Sequence, residues 1–286
     1  MLDTPPRVAH ATPYRGGVGA PARIEVGAGP AVLLVHGLNG FKEGWGPLPE
    51  AIAGRGHRVV AVDLPGFGAT PRLSGRTSPA TLAATLTPLI AELAPVAIVG
   101  HSLGTQIAML VAAAHPDRVS RMTLISPWVC PRPMRIPPRS VSDILQVPFF
   151  GGLLGRVAIA RALTSPERRR DAYLTVIADP AALTRDPRMA ALLDAASERL
   201  VEADVRAMAD WASSALALDV RPLAKRITAP TLVVWGTLDR VTPPPGAAWL
   251  SRTLPAGAAL TLAGVGHFPH LEAPERVLVA VGDHFA

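Results

Sequence analysis

Three side chains able to break an acyl bond together stand in glycine-containing turns after apolar runs. They are Ser102, Asp239 and an imidazole at His267 or His270. The serine lies in Val96-Ala-Ile-Val-Gly-His-Ser-Leu-Gly104, where a strand-like run enters Gly-x-Ser-x-Gly and a helical pattern, Thr105 to Ala114, follows at once. A strand-to-helix turn this tight strains the backbone of its central residue, and the two glycines make room for the close packing. It lifts the Ser102 hydroxyl above the sheet edge and sets the Leu103 backbone N–H at a helix N-terminus, where it can donate to an oxyanion. A serine hydroxyl is a poor nucleophile at neutral pH and needs an adjacent base. Of eight histidines, His10 and His284 lie near the termini, His57 precedes a strand at the opposite edge, and His115 closes the helix after Ser102. His101 points elsewhere along the turn. That leaves the loop Gly264-Val-Gly-His-Phe-Pro-His270. The carboxylate that orients such a base should follow a strand and reach it from the other side. Asp239, in Trp235-Gly-Thr-Leu-Asp239 ahead of a proline-rich helix start, fits that demand.

Positioning these groups requires a sheet. Short β-branched or apolar runs, Ala31–Val35, Arg58–Val62, Val96–Val99, Arg121–Ile125, Thr231–Trp235 and Ala258–Leu262, alternate with longer helical patterns. That alternation predicts an α/β fold with a mostly parallel central sheet flanked by helices. The fourth and fifth runs are about a hundred residues apart, far more than a crossover needs. Pro127, Pro131, Pro133, Pro137 and Pro138 punctuate the start of that stretch, and from about Val141 to Leu218 it turns helical and rich in Ala, Leu and Arg. The expected organisation is a core of residues 1–126 and 219–286, with 127–218 inserted as a helical subdomain.

The turn around Ser102, with the segments around it, resembles the α/β-hydrolase superfamily in its serine esterase and lipase-like branch with a helical cap. His36-Gly37-Leu38-Asn39-Gly40 after AVLLV is similar to the family's HG loop, which implies that the Leu38 N–H is the second oxyanion donor and that His36 is structural. Asp63-Leu-Pro-Gly-Phe-Gly68 looks like the family's D-x-P-G-x-G turn, chiefly structural, so Asp63 is not the expected acid. The family's G-x-G-H-x-x-x-x-E-x-P loop matches Gly264 through Pro274 and selects His267 over His270. Its G-x-x-D-x-x-x-P pattern matches Gly236 through Pro243 and supports Asp239. The order Ser102, Asp239, His267 is that of the α/β-hydrolases. The resemblance covers about residues 20–126 and 222–286 and implies a Ser102, Asp239, His267 triad, acyl-enzyme chemistry and no cofactor. Serine rather than aspartate at the elbow sets the chain apart from haloalkane dehalogenases and epoxide hydrolases. C–C bond hydrolases and cofactor-free perhydrolases share the triad, and a low-turnover ligand receptor could retain it. The expected substrate is an ester or lactone of small to medium size. Asn39, Trp128, Phe149 and Phe150 are the candidates for binding it.

The bulk composition agrees with a compact protein, at 49% apolar and 17% charged residues in 286. The net charge of +6 equals the excess between Trp128 and Arg170, where eight arginines face only Asp143 and Glu167. Without interleaved aromatics this does not read as a nucleic-acid surface. No apolar run is long enough for a membrane span. No H-E-x-x-H, P-loop or dinucleotide fingerprint is present, and Cys130 stands alone, so neither a cysteine-built metal site nor an intrachain disulfide is expected. The start, MLDTPPRVAHATPYRGG, lacks an apolar core after a basic end, which makes cytoplasmic the expected location. The expected partner is thus a small molecule, with oligomeric state left open.

Overall fold

A computed structural model describes residues 21–129, 165–199, 203–242, 244–255 and 257–285. Phe149 and Phe150, Cys130 and five of the eight arginines noted above (132, 135, 139, 156 and 161) lie outside the described residues.

The described residues hold seven strands: β1 (Arg23–Val26), β2 (Ala31–Val35), β3 (Arg58–Val62), β4 (Val96–His101), β5 (Val119–Ile125), β6 (Thr231–Gly236) and β7 (Ala258–Leu262). They form one sheet in the order β1-β3-β2-β4-β5-β6-β7. All neighbours run parallel except β1, which pairs antiparallel with β3 at the edge. Sequence patterning located β2 to β7 and missed β1. This strand has only four residues, two of them charged, and all four are only partly buried. Arg23 pairs with Glu25 and Glu92 there, so the strand reads as solvated loop until its pairing with β3 is known.

Apart from Ser120 and Arg121 at the start of β5, the inner strands read as near-continuous apolar runs because both faces are covered. Leu33, Val35, Ile98, Met122, Leu124 and Val233 face the cluster that includes α2 (Pro79–Leu93) and α3 (Gly104–Ala114). Val32, Leu34, Val99, Leu232 and Val234 face the other way, toward the side covered by α1 (Leu48–Ala53) and the C-terminal helix Pro274–Phe285. Between β5 and β6 stand α4 (Pro166–Leu174), α5 (Pro180–Arg185), α6 (Pro187–Arg199), α7 (Val205–Ala217) and the short α8 (Arg221–Ala224). The last of these inserted helices of full length docks on the core. Gln106 Nε2 of α3 donates to the Ala215 carbonyl at 2.8 Å, and Trp211 meets Phe67 edge-on. The chain closes with α9 (Pro244–Thr253), the single turn α10 (Pro269–Glu272) and α11, the C-terminal helix.

Strand register decides where the chemistry can sit. Val35 is level with Gly100, Gly100 with Leu124, Ile125 with Val234, and Gly236 with Leu262. The loops after β2, β4, β6 and β7 therefore leave one common edge of the sheet. The order also reverses at β2, which has β3 on one side and β4 on the other, so a crevice opens between the loops after β2 and β4.

Candidate active site

The turn after β4 places Ser102 at φ 53°, in the left-handed region. Its glycines answer specific crowding. A Cβ on Gly104 would lie 2.4 Å from the carbonyl oxygens of Val35 and His36, and one on Gly100 would lie 2.9 Å from the Gly104 carbonyl. The elbow is tied to β5 by Ser102 N–H donating to Ile125 O at 2.9 Å. Thr105 Oγ1 returns a bond to the Ser102 carbonyl at 2.6 Å, so its own hydroxyl is committed. Leu103 opens α3, where the first N–H groups have no acceptor within the helix.

The structure brings Ser102, His267 and Asp239 together across 165 and 28 residues of sequence. Ser102 Oγ lies 2.9 Å from His267 Nε2, and His267 Nδ1 lies 2.9 Å from Asp239 Oδ2. A carboxylate only accepts, so Nδ1 carries the proton and donates it to Asp239, leaving Nε2 to accept from the serine hydroxyl. Asp239 Oδ2 also accepts from Thr242 Oγ1 at 2.6 Å, and Oδ1 accepts the Val241 and Thr242 N–H groups at 2.8 and 2.9 Å. Burial pushes this carboxyl up, but the charge of His267 and the hydrogen bonds from His267 and Thr242 outweigh it and hold Asp239 well below the usual carboxylate range. All three side chains are buried. Such a set can transfer the serine proton to the imidazole while the carboxylate stabilises the charge that forms.

The loop after β2 lies against Ser102. A Cβ on Gly37 would be 2.8 Å from Ser102 Cβ. Gly40 N–H donates to Gly37 O at 3.0 Å, closing a turn in which Asn39 takes φ 62°. Leu38 thus lies in a tight turn whose first residue, Gly37, packs on Ser102. His36 lies beneath it as part of the frame: Nδ1 donates to Gly37 O at 2.8 Å and Nε2 accepts from Leu64 N–H at 3.0 Å. Asp63 is likewise structural, fully buried and accepting from Lys42 Nζ at 2.8 Å, Lys42 N–H at 2.7 Å and Ala69 N–H at 2.9 Å.

The other expected contacts separate. Asn39 lines a cavity with Phe41, Trp45, Tyr173, Leu193 and His270, and its Oδ1 has no hydrogen-bond partner among the described residues. Trp128 packs in the hydrophobic cluster with Val129 and Trp211 and does not line that cavity. Two groups escaped the reading of the sequence. His101 is not a bystander, since its Nε2 donates to the His267 carbonyl at 2.9 Å. Glu272 accepts from Gly266 and Phe268 N–H at 2.8 and 3.0 Å and so shapes the histidine loop. Its signal was present in the E of the loop pattern, which marks the residue without telling what it holds.

A family profile described as alpha/beta hydrolase fold matches residues 30–274, most of the chain. The chain belongs to the α/β-hydrolase family. Among its relatives, this α/β-hydrolase is 29% identical to the pimeloyl-[acyl-carrier protein] methyl ester esterase of Chromobacterium violaceum, over 91% of this chain and 95% of that one. It is 27% identical to the pyrrolizixenacetamide deacetylase of Xenorhabdus hominickii, covering 88% of this chain and 90% of the relative. The crystal structure of a putative non-heme bromoperoxidase from Mycobacterium tuberculosis superposes with a TM-score of 0.76 at 25% identity, covering 95% of this chain and 97% of that one. Among the described residues no group of three or more His, Cys, Asp or Glu side chains is placed to hold a metal ion, and no helix is long and apolar enough to cross a membrane.

The buried histidines around this α/β-hydrolase's site carry a pH dependence of stability. Burial pushes His36, His101 and His270 below 6.5, His101 far below it and His270 to about 3, with the charge of His267 adding to the effect on His270. An unfolded chain would take up protons on all three as pH falls through about 6.5, while the folded chain resists. Stability is therefore full above that value and lost as pH falls, by up to about 1.4 kcal/mol per pH unit for each histidine. Thermal melts should give a level Tm from pH 8 to 7 and a steady decline from pH 6.5 to 4.5. His270→Phe should flatten the slope, and a Tm independent of pH across that range would refute the account.

Proposed function

We propose that the chain is a serine esterase acting on carboxylic esters or lactones of small to medium size through an acyl-enzyme on Ser102. The observation that carries the reading is the pair of 2.9 Å hydrogen bonds joining Ser102, His267 and Asp239. His267 Nε2 takes the Ser102 proton as Oγ bonds to the substrate's acyl carbon, and the carbonyl electrons move onto oxygen. The backbone N–H groups of Leu38 and Leu103 donate to that oxyanion. The intermediate collapses, its bond to the alkoxy group breaks, and His267 gives the proton to the departing oxygen. Water then attacks the acyl-enzyme, loses its proton to His267 and releases the acid, and Ser102 regains its hydrogen.

Residues 127–218 form the cap in this reading and restrict access to Ser102, which favours modest acyl or alcohol groups over long triglycerides. The names of the two curated relatives, a methyl ester esterase and a deacetylase, agree with release of an acyl group from a small partner. The reaction needs no cofactor, and a cytoplasmic setting goes with the single cysteine.

The test is a panel of nitrophenyl esters of rising chain length together with lactones of rising ring size. Turnover is expected for short and medium acyl groups and should decline for long ones. If no ester or lactone is hydrolysed while a coloured dienol diketone is cleaved, the chain is a C–C bond hydrolase and this assignment fails.

A further inference from the structure

The segment that follows α4 grips both loops of the site. Tyr173, next to last in α4, donates its hydroxyl proton to the backbone carbonyl of Asn39 at 2.5 Å, across 134 residues of sequence. Three residues on, the Val176 carbonyl accepts the backbone N–H of His267 at 3.0 Å. Ala178 N–H then donates to Glu272 Oε2 at 2.9 Å, and the same carboxylate holds Gly266 and Phe268. The approach is so close that a Cβ on Gly266 would lie 2.7 Å from Ala178 N and 2.8 Å from Val176 O. This crowding gives the second glycine of the histidine loop its reason.

We propose that Tyr173 is a positioning residue for the loop carrying the Leu38 N–H, and that residues 173–178 hold that loop and His267 in register. The inference rests on the serine-esterase reading. Asn39 is the left-handed corner of the turn that sets the direction of the Leu38 N–H, and its carbonyl is where that turn can be anchored from above. His36 anchors the same turn from below through Gly37. His267 is pinned similarly, its N–H by Val176 and its carbonyl by His101. Desolvation raises the Tyr173 phenol above its ordinary 10, so it stays a donor throughout the working range. The inserted helices therefore do more than wall the site, because the alignment of donor and base depends on where this segment lies.

The test is Tyr173→Phe, which removes one hydroxyl and keeps the ring. Direct oxyanion donors contribute about 100- to 1,000-fold in kcat, so loss of the residue that aims one should lower kcat by about tenfold. KM should stay nearly unchanged. Affinity for a trifluoromethyl ketone, which mimics the tetrahedral intermediate, should fall by the same factor as kcat, while affinity for the product carboxylate holds. Thr184→Val on α5, outside the segment, whose hydroxyl bonds to Pro180 O at 2.8 Å, should leave kcat unaltered. Wild-type turnover that depends on Ser102 combined with an unchanged kcat in Tyr173→Phe overturns this proposal alone. Equal weakening of ketone and product would make Tyr173 a wall of the binding pocket and overturn it too. Equal rates for wild type and Ser102→Ala would instead sink the underlying esterase reading.

Discussion

Ser102→Ala is expected to lower kcat for an activated ester by on the order of 10⁶, with the fold intact. The size of the effect follows from the lack of a substitute. Thr105 has the hydroxyl nearest in sequence, and it is fully buried and bound to the Ser102 carbonyl at 2.6 Å. Stability should barely change, because serine and alanine both carry a Cβ and meet the same strain at φ 53°. Melting temperature and kcat measured on one preparation separate the two effects. Residual turnover above a few per cent of wild type would mean that bond breaking does not pass through this hydroxyl.

Asp239→Asn should cost about 10⁴ in kcat while leaving substrate binding nearly unaltered. The amide can keep its oxygen toward the Val241 and Thr242 N–H groups, so the turn after β6 survives. Its NH₂ then faces His267 Nδ1, where the carboxylate oxygen accepted at 2.9 Å. A donor there forces Nδ1 to become the acceptor and moves the imidazole proton to Nε2, which can no longer take the proton of Ser102. The tautomer is readable from the imidazole ¹⁵N shifts, and the kinetic loss should accompany the change. Because the three groups act as a unit, the double variant with Ser102→Ala should be no slower than Ser102→Ala itself. A rate for Asp239→Asn within tenfold of wild type would remove Asp239 from the mechanism.

Much of this site was legible because its requirements are local. Gly100 must be a glycine because of Gly104 and Thr105 within the same turn, and the apolar run before it reads as an interior strand, although the crowding that demands Gly104 comes from the end of β2. The glycines at 264 and 266 and the aspartate after Trp235-Gly mark loops that leave strands, and the order Ser102, Asp239, His267 differs from the orders of the chymotrypsin and subtilisin types. The antiparallel β1 was not legible, since Arg23 and Glu25 look solvated and their pairing with Val62 and Val60 lies far along the chain. His101 was read as pointing away from the chemistry, because nothing near it in sequence predicts a bond to a carbonyl 166 residues distant.

By itself, the sequence determined the α/β alternation, the strand-turn-helix around Ser102 and the loops that carry Asp239 and His267, all of them features whose physics lies within a few consecutive residues. Only the tertiary structure decided that the loops after β2, β4, β6 and β7 leave one edge of the sheet, that His267 bridges the serine and the carboxylate, and that Tyr173 and Val176 reach Asn39 and His267. Those contacts depend on strand register and on how the inserted helices pack against the sheet. Register and packing are set by the whole core, and residues that meet through them carry no mark of it in their own neighbourhood of the chain.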